Sequence, residues 1–357
     1  MLDHWLFPLQ ARFLEAVAQT NPPFFQGLHK HSKAEFPDLS RIRVALIATD
    51  TQSSYAVRKA LYSLSFPFEH LTVADLGNLR RKSPTFAIGL LQQLLQGNII
   101  PLMVAPAPAM IEGVFDAFND LRRHACLTLV QQRPAMDASR LLGRLLQKRP
   151  FHLGLIGCQS HFMQPEEQKM LVNGPVDLLR LGQARANMQD VEPIVRDADL
   201  IGFDLGALRG SDAPEAADLT PSGFLLEEGC QIMRYAGLSD KLRAAAIVGY
   251  ANKPASLTAQ AIAQLIWYFL DGVHQRKNDF PVSTTHMVEY IVEVKQLNYQ
   301  LTFWKSSRSG RWWLQLPSRE EAGAQRHRLV PCSYRDYLQA GEGELPHRLL
   351  QALKRFA

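Results

Sequence analysis

Asp199-Leu-Ile-Gly-Phe-Asp-Leu-Gly-Ala-Leu-Arg-Gly-Ser-Asp-Ala-Pro214 is the stretch on which the fold turns. Leu200 to Leu205 is an apolar run with one acidic residue, Asp204, set into it. Downstream it is bounded by Gly206, Gly210 and Pro214, which sit badly inside regular elements. The pattern reads as a buried parallel strand that ends in a carboxylate. In open α/β sheets ligands bind outside the carboxyl ends of the strands, so Asp204 should face a crevice.

Working outward, similar apolar runs recur at Ile42–Ala48, Leu71–Gly77, Ile99–Ala105, Ala125–Gln131, Phe151–Cys158 and Ala244–Tyr250. Between them lie stretches of helical period: Val57–Leu64, Phe86–Gln96, Met110–Leu121 and Leu141–Gln147. A further helix should start near Ser222, capped by Ser222 or Thr220, and run to about Tyr235. Leu257–Val273 is apolar all round and hence a buried helix. Apolar strands alternating with helices imply parallel pairing in a doubly wound sheet. After Asn278 the period changes to two, in Tyr290–Val294, Tyr299–Trp304 and Arg311–Leu316, with turns at Gln296–Asn298 and Ser306–Gly310. The expected fold is therefore α/β: a three-layer αβα core with a mainly parallel sheet and a small C-terminal antiparallel β extension. Residues 1–40 form an N-terminal segment packed on the core, 41–280 the α/β domain and 281–357 the extension.

At 46% hydrophobic and 20% charged, the 357 residues have ordinary globular composition. No apolar run reaches the ~18 residues that span a bilayer, so no membrane insertion is expected. Met1 to Trp5 shows no basic segment leading into an apolar core, which predicts no secretory signal. Cys126, Cys158, Cys230 and Cys332 lack metal or redox spacing and read as buried thiols in a reducing cytoplasm. A net charge of +5 does not by itself call for nucleic acid at this length. Between Lys305 and Arg335, seven Lys/Arg against two Glu alternate with Trp304, Trp312, Trp313 and Tyr334. That mixture suits a single-strand nucleic-acid platform or a meander with a basic solvent face. Trp312 and Trp313 point to opposite sides of one strand, which favours packing.

The opening stretch resembles the signature of the ureohydrolase superfamily (arginase, agmatinase, formimidoylglutamase), in which a Phe-Asp-x-Asp strand supplies two metal-binding aspartates. Here the first stands as Asp204 and the second has become Gly206. The likeness is nearest to a divergent, Bacteroidetes-type formimidoylglutamase-like branch. Arg180-Leu-Gly, Glu192-Pro with Arg196-Asp-Ala-Asp199, Ser211-Asp-Ala-Pro214, Arg234-Tyr-Ala-Gly-Leu-Ser-Asp240, Arg311-Trp-Trp313 and the His327 to Tyr334 stretch carry it. The resemblance implies an αβα fold, hydrolysis of linear amidines by a hydroxide on two manganese ions, and a homo-oligomer.

It also implies where ligands should stand, and most are missing. The histidine after the third strand falls on Pro108. Three further ligand positions read Gln131, Arg133 and Ala135, and the substrate-binding glutamate is Gly249. Hard divalent cations need anionic oxygens and imidazoles, so no metal cofactor is expected. Rebuilding the site would draw on His161, Asp212 and Gln159, although His161 and Asp212 read first as loop residues. Asp75 closes a strand but is followed by an apparent turn at Leu76-Gly77-Asn78, and Arg80, Arg81 and Lys82 read as a solvated basic loop. No phosphate-binding or nucleophile-elbow motif occurs.

The expectation is an arginase-like pseudoenzyme that binds another protein or a small molecule. The alternative is an active hydrolase of linear amidines or guanidino compounds with a rebuilt site. Prolines and alanines at the former ligand positions predict a narrowed, apolar crevice around Asp204. Tyr299, Phe303, Trp304, Trp312 and Trp313 predict an extension docked through aromatics.

Overall fold

The computed structural model describes residues 2–121, 124–174, 176–251, 256–281, 284–294, 299–316 and 328–356. Ten strands form one sheet: β1 (Leu6–Phe7), β2 (Leu28–Lys30), β3 (Val44–Ala48), β4 (Val73–Leu79), β5 (Ile100–Ala105), β6 (Cys126–Val130), β7 (His152–Cys158), β8 (Val176–Arg180), β9 (Leu200–Asp204) and β10 (Ala244–Val248). Their order is β1-β4-β3-β5-β10-β9-β6-β7-β8, with β2 also on β4. All pairs are parallel except β1 with β4. The opening stretch thus supplies β9, one of the central strands.

Each central strand is apolar on both faces because each face carries its own core. Val44, Leu46 and Ala48 of β3 join one cluster while Ala45 and Ile47 join the other. Helices Thr51–Tyr62, Leu226–Leu238 and Ser256–His274 cover the first face. Helices Pro84–Gln96, Met110–Leu121 and Leu141–Gln147 cover the second. Period-two alternation with both halves apolar is the signature of a doubly covered parallel strand.

Three features depart from expectation. β1, β2 and β8 lie at the sheet edges and are too short or too polar to stand out in sequence. β4 runs on to Leu79, so Leu76-Gly77-Asn78 is strand rather than turn; Gly77 (φ 86°) absorbs the register shift against β3. Asp75 is buried and fully used: Arg58 grips it through Nε (2.7 Å) and Nη2 (3.0 Å), and Tyr62 donates at 2.8 Å. The basic loop is solvated as expected, with Arg80, Arg81 and Lys82 all exposed, while Lys82 reaches Asp50 at 2.7 Å and Arg80 Nε the Leu6 carbonyl at 2.9 Å.

The extension is a four-stranded antiparallel sheet of β11 (Met287–Val294), β12 (Tyr299–Ser306), β13 (Trp312–Gln315) and β14 (Leu329–Cys332). Helices Tyr334–Gly341 and Glu-free His347–Leu353 complete it. The expected turn at Gln296–Asn298 and residue His327 lie outside the described residues. Phe303 and Trp312 pack with Tyr290 and Tyr337 in a core of the extension's own, and Tyr299 is exposed. Docking therefore differs from the aromatic mode expected: arginines carry most of it. Arg196 donates to the Trp312 carbonyl (3.2 and 3.1 Å) and the Cys332 carbonyl (3.1 Å), its guanidinium lying 4.4 Å over the Trp313 ring. From the other side, Arg348 meets Asp177 at 3.3 Å and Arg355 meets Asp197 at 2.5 Å. Lys241 adds a second cation to Asp197 at 3.0 Å, and His152 bonds Asp177 at 3.0 Å. These groups gather at the amino ends of β7, β8 and β9, opposite the crevice.

Candidate functional site

Parallel register fixes what surrounds Asp204. Val248 of β10 stands beside Asp204, and Val130 of β6 beside Phe203, so Gly249 and Gln131 flank the carboxylate. Asp204 is partly buried and accepts the Gly206 N–H at 2.9 Å. Burial pushes its carboxyl up to about 6, against the Gly206 hydrogen bond, and nearby Asp218 pushes the same way.

The protein's own chain lies over the strand ends beside Asp204. Beyond β9 the backbone turns back over the strand ends. Ala216 bridges Tyr250, the Ala217 N–H donates to the Gly249 carbonyl (2.8 Å), and the Ala251 N–H donates to the Glu215 carbonyl (2.6 Å). Beneath this loop lies an uncharged polar network. The Gln132 side-chain oxygen accepts from Thr220 (2.7 Å) and Gln159 (2.8 Å), while its amide nitrogen donates to the Gly206 carbonyl. Ser222 donates to Gln159 at 2.9 Å. Where apolar groups were expected, the side chains beneath this loop are amides and hydroxyls. Nothing in the local sequence marks this network, because its members come from three separate loops.

Each expected position can now be placed. Pro108 lies in the turn before helix Met110–Leu121, where its carbonyl accepts the Ile111 N–H (3.0 Å) and its side chain offers no donor atom. Gln131 is buried with its amide nitrogen unpartnered. Arg133 does not point inward: it stacks 4.2 Å from the Phe162 ring centre and pairs with Asp218 at 3.2 Å. Ala135 is partly buried in the same loop. His161 sits exposed on the turn Ser160–Phe162, its ring centre 4.1 Å from that of Phe162. Gln159 is a network member. Asp212 shapes the loop, accepting from Ser211 (2.8 Å), Arg209 (3.2 Å) and the Leu226 N–H (2.9 Å), and these bonds outweigh burial to lower its pKa. Helix Leu226–Leu238 is capped by Asp212 and by Glu228, which accepts the Leu225 N–H at 2.8 Å. The expected caps, Thr220 and Ser222, are committed to the network instead.

The two glycines are tied to Asp204 sterically. A Cβ on Gly206 would stand 3.0 Å from the Asp218 carbonyl and 3.3 Å from Asp204 Oδ1. At Gly249 (φ 83°) a Cβ would run into Asp204 Oδ1 itself. A glutamate at position 249 and Asp204 in its observed place exclude one another. Gly249→Ala should therefore cost more than ~1 kcal/mol in chemical denaturation, since the backbone is left-handed as well as crowded. An unchanged midpoint would contradict the packing.

A manganese pair needs several anionic oxygens and imidazoles converging on one point. Among the described residues no three His, Cys, Asp or Glu side chains are grouped to hold a metal ion. Directly around Asp204 stand Asp218, already paired with Arg133, and Gly206, Gly249 and Gln131; Asp50 is tied to Lys82 and Glu215 to Thr258. This donor set does not fit a manganese pair.

No family model matches the sequence, and no curated protein matches it. Solved structures do. Formiminoglutamase from Trypanosoma cruzi superposes with a TM-score of 0.60 at 13% identity, over 68% of this chain and 100% of that one. Formimidoylglutamase from Bacillus subtilis gives 0.60 at 14% identity, over 71% and 93%. The agmatine ureohydrolase of Thermoplasma volcanium gives 0.52 at 13%, over 66% and 91%. With the strand order and crevice described above, these likenesses establish that the chain has the arginase-type ureohydrolase fold.

Proposed function

We propose that the chain is a binding or scaffolding protein built on the ureohydrolase frame, without the frame's manganese chemistry. The observation that carries this reading is the loop after β9, whose backbone and whose Thr220 and Ser222 side chains occupy the strand ends where that chemistry would need open space. The loss extends beyond the ligands: Gly249 and Gly206 are packed against Asp204 so that larger side chains do not enter. All four cysteines are free and buried, consistent with a reducing compartment. Among the described residues no helix is long and apolar enough to cross a membrane.

One observation favours the second reading, a rebuilt amidine hydrolase. Asp204 has a carboxyl pKa raised to about 6, and perturbed carboxyls in crevices are general acid–base candidates. A single measurement separates the two. Purified protein exchanged against manganese should retain less than one equivalent and release neither urea nor formamide from arginine, agmatine or formimidoylglutamate. Two equivalents of metal, or release abolished by Asp204→Ala, would overturn the binding-protein reading.

A further inference from the structure

On the first helical face three helices leave a groove enclosing about 890 Å³, none of whose lining residues belongs to the network around Asp204. Its floor is made of alanines one turn apart: Ala56 and Ala60 of helix Thr51–Tyr62, and Ala259 and Ala263 of helix Ser256–His274. Small side chains facing each other across two helices hold the floor low. The third wall is helix Ala11–Ala18, which leans on the others through Phe13, 4.5 Å from the Tyr55 ring centre, and buries Val17. The volume lies within the roughly 300–1,000 Å³ of small-molecule sites.

The rim gives the groove a sign. Gln260, Gln264, Ser63 and Thr20 are uncharged, and the described lining holds no Asp or Glu. Its charge is Lys59, exposed at the mouth and in no ion pair among the described residues. A cation at the last turn of a helix is favoured by the helix dipole, which accounts for a lysine there but not for the apolar trough beside it. An apolar trough with a cation at its lip complements a molecule with an apolar tail and an anionic head.

We propose that this groove binds a free single-chain fatty carboxylate, its tail along the alanine floor and its head at Lys59. The site is separate from the crevice, so its test stands whatever the crevice does. The full-length protein would be titrated with a dansyl-labelled undecanoic acid and the probe displaced with palmitate. Displacement is expected, with an alkyl-trimethylammonium of equal chain length displacing more weakly. Lys59→Gln should weaken palmitate about three- to fivefold, the worth of one exposed ion pair, and narrow the preference over the cation. Ala16 lines the groove from an exposed position, so Ala16→Trp should block it and abolish probe binding while leaving the melting temperature unchanged. Failure to displace, equal affinity for cation and anion, or binding that survives Ala16→Trp would overturn the proposal. So would binding to anionic vesicles with none to monomeric palmitate, or a dimer in light scattering that Ala16→Trp dissociates.

Discussion

Asp197→Ala should destabilise the folded chain by about 3–5 kcal/mol, the cost of removing one partner from a buried charge cluster. Asp197 receives Lys241 at 3.0 Å and Arg355 at 2.5 Å, and Arg348 approaches at 3.8 Å. The side chains of Lys241 and Arg355 are 4% and 1% exposed, so neither can turn to water when the carboxylate goes. Arg355 has little in reserve, since its Nε and Nη1 are already buried without acceptors. The double variant Asp197→Ala/Arg355→Leu should recover part of the loss. Urea unfolding at pH 7 measures both, and a single-variant loss under 1 kcal/mol would remove the cluster from the account of docking. The cluster also sets an acid limit. Its cations hold Asp197 well below the usual 3.8 despite burial, and Asp177 is lowered in the same way. A depressed carboxyl stabilises the fold above its unfolded value, and that contribution fades as pH falls below 3.8 toward the folded one.

Asp204→Asn is expected to act in the opposite direction. The Asp204 carboxyl titrates at about 6 in the folded chain and near 3.8 when unfolded. Its contribution is full below pH 3.8 and lost as pH rises through about 6, so above pH 6 the ionised side chain opposes folding. About two pH units correspond to at most ~3 kcal/mol, and less because water reaches part of the side chain. Asparagine can keep the bond from the Gly206 N–H without ionising. The variant should therefore be more stable than the parent at pH 8 and equal to it at pH 4. A variant less stable at pH 8, above all with manganese present, would mean that the carboxylate is held by a cation after all.

The central sheet was legible because its signals are local. β3, β5, β9 and β10 are short apolar runs whose two faces both need burial, and helix Met110–Leu121 has the bounds its periodicity predicts. The place of Asp204 at the end of a strand was legible too, from the glycines that follow it. What fills the crevice was not. Gln132, Gln159, Thr220 and Ser222 are ordinary loop residues until the fold brings them together, and the hydroxyls that looked like helix caps were better used inside. The arginine docking was hidden for the same reason. Arg348 and Arg355 pair with residues more than 150 positions earlier, and no pattern along the chain announces a partner that distant.

That separation bears on how the protein is made. Asp177 and Asp197 belong to the strand ends of the α/β domain, yet two of their counter-charges, Arg348 and Arg355, are synthesised only after the whole sheet. While the ribosome is still adding the extension, the sheet's acidic end has Lys241 and His152 but neither arginine. The sheet is thus finished by a segment that follows it in the chain. Until residue 355 has emerged, the nascent chain carries an incompletely neutralised acidic end, so damage to the extension should be felt as misfolding of the domain it closes.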